Sequence, residues 1–116
     1  MRPISQIRRD TDNMKKEGSK MGIGKYCIVR TYCAGVFAGE LISRNGKEGV
    51  VVNARRLWFW SGAATLSELA LRGVGRPEKC KFPDAVPEVL LTEIIEVIVC
   101  TADARASIEA VPPWRA

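Results

Sequence analysis

The sequence predicts an α+β fold, a small, highly curved antiparallel sheet of about five or six strands with two short helices beside it. Three observations carry this. Runs rich in β-branched and aromatic residues recur between Lys25 and Cys100, separated by glycine and Asn-Gly turn signals. Gly35 and Gly39 sit beside and within those runs, where they indicate strong curvature or a close backbone approach. Stretches beginning at Thr65 and Thr101 carry helix caps instead of alternation.

At 116 residues the chain is one domain, small enough that self-association would add to its stability. Residues 1–24 read as an arm ahead of a single domain at residues 25–116. Pro3, Ile4, Ile7, Met14 and Gly18 fit a marginal helix that docks on a partner subunit, and the thin apolar stripe equally fits a mobile tail.

Lys25 to Cys33 is a strand with Tyr26, Ile28, Arg30 and Tyr32 on one face. Arg30 either covers apolar surface with its stem on a solvated face or reaches a phosphate from a cleft wall. Val36 to Ile42 is the next strand. Asn45-Gly46 marks a tight hairpin, and Val50 to Asn53 is a third strand whose consecutive valines favour cover on both sides. Thr65 with Glu68 forms a capping box for a helix of about two turns, which Gly73 stops. Val74 to Pro87 reads as a loop, Val89 to Cys100 as one long strand, and Thr101 to Ala110 as a helix. Pro112 and Pro113 then hold Trp114 in an extended tail suited to a subunit boundary.

The stretch that organises the chain is Asn53-Ala-Arg-Arg-Leu-Trp-Phe-Trp-Ser-Gly62. In a strand, Arg56, Trp58 and Trp60 share one face while Arg55, Leu57 and Phe59 share the other. No assignment of faces buries every aromatic and exposes both arginines, so part of this segment meets a ligand, a second subunit or a neighbouring loop. Arginine presents paired donors to a phosphate, aromatics stack on a base, and Ser61 with the amides of the following helix start adds neutral donors. Lys81 and Phe82 either extend this into a rim for an anionic, base-containing ligand, or Phe82 plugs the core edge and the lysine faces water. The competing reading of the whole group makes the tryptophans core or interface anchors, with Arg55 or Arg56 tied up by Glu93 or Glu96.

The net charge of +5 fits a phosphate-bearing partner, and the absence of a long basic block disfavours a duplex-DNA groove binder. With no histidine, the usual base near neutral pH is missing, and neither a Gly-x-Ser-x-Gly elbow nor a Gly-rich phosphate loop occurs. Catalysis is therefore disfavoured. Cys27, Cys33, Cys80 and Cys100 lack metal-site spacing, so neither a metal nor a cofactor is expected, and no apolar run is long enough for a membrane span. The candidate ligand-binding residues, chosen on side-chain chemistry, are Arg30, Arg55, Arg56, Trp58, Trp60, Ser61, Lys81 and Phe82.

The runs Tyr26 to Gly39, Asn53 to Ala64, Cys80-Lys-Phe-Pro83 and Leu91-Thr-Glu-Ile-Ile95 resemble a family of small bacteriophage and prophage proteins carried as a domain of unknown function. That family is similar to the phage Thoeris anti-defence proteins. The resemblance, spanning residues 25–114, implies a homo-oligomer in the cytoplasm of an infected bacterial host. Such a protein captures a cyclic ADP-ribose isomer, in some members also cyclic oligonucleotides, and withholds it from an immune effector without degrading it. The alternatives are a single-stranded nucleic-acid-binding module and a structural, protein-interaction oligomer.

Overall fold

The structure is a computed structural model that describes residues 21–116, so the expectation for residues 1–20 of the arm lies outside it. Five strands follow in chain order: β1 Lys25–Thr31, β2 Val36–Asn45, β3 Glu48–Arg56, β4 Val86–Leu91 and β5 Ile94–Val99. Helix α1, Leu66–Arg72, lies between β3 and β4, and α2, Ala102–Ala110, follows β5. The sheet runs β4-β3-β2-β1-β5 with every pair antiparallel. This is the mixed α+β class that the alternating runs and the two caps predict.

The long strand expected from Val89 to Cys100 is two strands. Thr92 and Glu93, both exposed, interrupt the apolar run, and the chain crosses there from one edge of the sheet to the other. Two residues cannot span an open five-stranded sheet, so the sheet curls until its edges approach. The joint is held on both sides. Ile94 N–H donates to the Lys47 carbonyl at 2.9 Å, in the β2–β3 turn, and Tyr32 N–H donates to the Glu93 carbonyl at 2.9 Å, just past β1. Gly39 permits the tight curl, because a Cβ there would lie 2.7 Å from both Val51 Cγ1 and the Val52 carbonyl oxygen. The β2–β3 register shifts beside it, between Ala38 and Glu40.

Alternation along β1 divides the core. Cys27 and Val29 join Phe37, Leu41, Val51, Ala54, Leu91 and Ile94 in a cluster drawn from all five strands, as the interior of a curled sheet requires. Tyr26 and Ile28 face the other way, into a layer made with Leu69 and Ala70 of α1, Ile108 of α2, Leu57 and Phe82. Arg30 follows them on that face but lies at its exposed margin.

Both helices begin as their caps predict. Thr65 Oγ1 accepts from Glu68 N–H at 3.1 Å, while Glu68 Oε2 reaches back to Ala64 N–H at 3.0 Å. Gly73 closes α1 with φ +78°. Thr101 Oγ1 accepts from Ala104 N–H at 3.0 Å and donates to the Leu71 carbonyl at 2.7 Å, so the start of α2 is fixed to the end of α1. A seven-residue helix has little stability by itself, and Leu69 and Ala70 dock it.

Candidate functional site

Strand β3 ends at Arg56, and strict alternation ends at Trp58–Phe59, whose successive N–H groups both donate to the Lys81 carbonyl, at 3.2 and 3.3 Å, so the chain is bulged there. It runs as a ribbon between two neighbours. On one side Leu57 N–H donates to the Val36 carbonyl at 2.8 Å; on the other, Lys81 N–H donates to the Phe59 carbonyl at 2.7 Å and Trp58 N–H to the Lys81 carbonyl at 3.2 Å. Arg56, Leu57, Trp58 and Trp60 line one cleft of about 370 Å³, closed on its far side by Cys33, Ala34, Gly35 and Val36. Arg55 points away and is buried, Leu57 is buried where it borders the cleft, and Phe59 remains half-exposed.

The Arg56 guanidinium lies 4.4 Å from the Phe37 ring centroid and donates to the Ala34 carbonyl. It stays exposed at the cleft edge, with donors left for an anion. Trp58 is 59% exposed and stacks on Trp114, with centroids 5.2 Å apart and planes inclined by 13°. The Lys81 ammonium lies 5.1 Å from the Trp58 centroid and 5.6 Å from that of Trp114. Trp60 is half-buried against the helix-side core.

Ser61 ties this ribbon down through its backbone. Its N–H donates to Cys80 Sγ at 3.4 Å and its carbonyl accepts from Arg76 N–H at 3.3 Å. The crossing is too close for any residue but glycine at position 62, where φ is +88° and a Cβ would fall 2.4 Å from Gly75 N. The amides that were to add donors at the helix start are partly used by the chain itself, Glu68 N–H by Thr65 and Ala64 N–H by Glu68.

Three expected site residues are engaged within the chain, away from the cleft. Arg55 is 5% exposed, and its guanidinium donates to four carbonyls: Pro83 at 2.9 Å, Ile108 at 2.8 Å, Phe82 at 3.0 Å and Val111 at 2.5 Å. It clamps the end of α2 to the segment before β4, and the desolvation of that site lowers its pKa. Phe82 is fully buried beneath it, which selects the plug over the rim. Arg30 pairs with Glu96 at 3.1 Å on the solvated side of β1 and β5, so Glu96 serves neither Arg55 nor Arg56. Glu93 joins no ion pair with the central arginines; its carbonyl instead holds the β4–β5 joint.

Trp114, expected in an extended tail suited to a subunit boundary, stacks on Trp58 of its own chain and stays half-exposed. The signal for this was Asp84, which receives Arg115 in a bidentate pair at 2.9 and 3.0 Å and draws the tail alongside residues 82–84. Those bonds hold the Asp84 carboxyl below its ordinary range.

A second cleft, of about 330 Å³, lies between Tyr26, Asn53, Arg55, Asp84, Arg105 and Glu109, with the Arg55 donors already given to backbone carbonyls. Its charges are already matched. Arg105 bridges Glu40 at 2.8 Å and Glu109 at 2.5 Å, Asp84 holds Arg115, and burial pushes the Tyr26 hydroxyl above the usual phenol range. An anion gains little there, so the Arg56–Trp58–Trp60 cleft is the better candidate.

A family model matches residues 24–108, nearly three-quarters of the chain. The chain belongs to the DUF6948 family, a domain of unknown function. The family's span takes in the whole curled sheet, the Arg56–Trp58–Trp60 ribbon and Lys81, and stops at Ile108, short of Trp114 and Arg115. No curated protein and no solved structure matches the chain. Among the described residues, no helix is long and apolar enough to cross a membrane, and no group of three or more acidic or thiol side chains is placed to hold a metal.

Proposed function

We propose that this DUF6948 protein binds an anionic, base-containing ligand in the Arg56–Trp58–Trp60 cleft and sequesters it without chemical change. The observation that carries the reading is the convergence of one exposed guanidinium and two indoles on one wall, with the Lys81 ammonium beside Trp58. The guanidinium and ammonium suit a phosphate, and an indole face suits a base of any identity. A cleft of about 370 Å³ lies in the range of small-molecule sites. A chain without histidine has no ordinary base for turnover near neutral pH, which favours holding over hydrolysing.

The resemblance to phage anti-defence proteins gives the reading its finer form. The ligand is a cyclic ADP-ribose isomer, the protein acts in the cytoplasm of an infected bacterium, and a second copy closes the open side of the cleft. Calorimetry with cyclic ADP-ribose tests it. Saturable heat, with the ligand recovered unchanged after denaturation, is the expected result; absence of heat at millimolar ligand, or recovery of an opened product, overturns it.

A single-stranded nucleic acid is the second reading, favoured by Arg76 and Lys79, which are exposed and form no ion pair among the described residues. It requires affinity that rises with oligonucleotide length and falls steeply with salt.

A further inference from the structure

We propose that Trp114 is a ligand-binding residue of the same site, and that the Asp84–Arg115 pair is the positioning element that makes the site select a flat aromatic base bearing a phosphate. This rests on the reading of the cleft given above.

The tail reaches its place by a chain of fixed points. Val111 is buried and its carbonyl accepts from Arg55, at the end of α2. Pro112 and Pro113 then restrict the path to an extended one. Trp114 N–H donates at 2.9 Å to the Phe82 carbonyl, which also accepts from Arg55. Arg115 closes the path with two parallel bonds to Asp84. The indole arrives against Trp58 because every preceding residue is already held.

A packing role does not account for what the two rings do. Trp114 is 43% exposed and Trp58 59%, whereas indoles recruited only to fill a core are covered. The Lys81 ammonium and the two centroids form a nearly equilateral triangle, with sides of 5.1, 5.6 and 5.2 Å. The charge therefore lies beside the ring pair and not between the rings. An outer indole face remains free for a base while the ammonium meets the phosphate attached to it. The Asp84–Arg115 pair is itself solvent-exposed, so its contribution to folding is small; its effect is on where Trp114 sits.

The test uses the full chain, with ADP as the probe and adenosine as its phosphate-free control. Stacked indoles give an exciton couplet in circular dichroism, a signal that needs no ligand. The couplet is expected in the unaltered protein, lost in Trp114→Ala, reduced in Arg115→Ala and restored when the charges are exchanged in Asp84→Arg/Arg115→Asp. ADP affinity is expected to follow the same order, about 5- to 150-fold weaker in Trp114→Ala, with adenosine weaker than ADP. If Trp58→Ala loses ADP while Trp114→Ala and Arg115→Ala retain it, the inference is overturned and the cleft reading stands. Failure of the unaltered protein to bind ADP also overturns the inference, whereas the cleft reading is judged on cyclic ADP-ribose.

Discussion

Arg55 and Arg56 are adjacent in sequence and leave β3 in opposite directions. Arg55 enters the interior and gives its donors to four backbone carbonyls, while Arg56 stays in solvent over the Phe37 ring. One arginine holds the scaffold and its neighbour is left exposed for the ligand proposed above. Their substitutions should separate stability from binding.

Arg55→Leu is expected to lose at least about 3 kcal/mol, because it strands several buried carbonyls and releases the end of α2. Thermal unfolding should show the midpoint falling by more than about 10 °C. Arg56→Leu should change stability by no more than about 1 kcal/mol and weaken cyclic ADP-ribose by about tenfold or more. Equal loss of stability in the two variants would show that both are structural.

Whereas the bulge at Trp58–Phe59 depends on pairing with the distant Lys81, the alternation along β3 as far as Arg56 was legible because it depends only on local strand geometry. The caps at Thr65 and Thr101 and the stop at Gly73 were legible for the same reason. Arg55 was not. Whether a strand arginine faces ligand or interior is decided here by carbonyls 27 to 56 residues away, at Phe82, Pro83, Ile108 and Val111. The break at Thr92–Glu93 was hidden inside a run that satisfies one long strand, since the crossing between sheet edges is a property of closure. Trp114 was legible as an aromatic in an extended tail, but its stacking on Trp58 depends on Asp84 meeting Arg115 across 31 residues.

Gly62→Ala should disturb the site without touching an aromatic. The added methyl meets Gly75 backbone at 2.4 Å and the residue must keep a positive φ, so the 61–62 and 75–76 segments have to part. A loss of more than about 1 kcal/mol is expected, together with a red shift of Trp60 emission as that ring loses cover. An unshifted spectrum would mean that the crossing does not hold Trp60.

Stability should fall at alkaline pH through two thiols, Cys27, which is buried, and Cys100, which is half-buried. Burial pushes Cys27 and Cys100 up to about 11 from an ordinary 9.0. A group raised in the folded state contributes its full share below the unfolded pKa and loses it as pH rises toward the folded one. The window is therefore about pH 9 to 11, where the unfolded chain releases protons that the folded chain keeps. Denaturant titrations of Cys27→Ser/Cys100→Ser should show a shallower decline across that window than the unaltered protein.

Cys33 provides a footprint for the cleft. It is exposed and lines the same cleft as Arg56, from the opposite side, while Cys27 and Cys80 are buried. Alkylation of the native protein should modify Cys33 first, and saturating cyclic ADP-ribose should slow that reaction several-fold. Unchanged kinetics with bound ligand would move the ligand to another surface.

The most direct test of sequestration in this cleft is capture from a natural mixture. Purified protein is incubated with the products of an activated TIR-domain enzyme, freed of unbound small molecules and denatured, and the released material is identified by mass spectrometry. The account predicts an intact cyclic ADP-ribose isomer from the unaltered protein and from Phe59→Ala, and little from Arg56→Ala or Trp58→Ala. Release of nothing, of an opened product, or of equal ligand from all four proteins would contradict it.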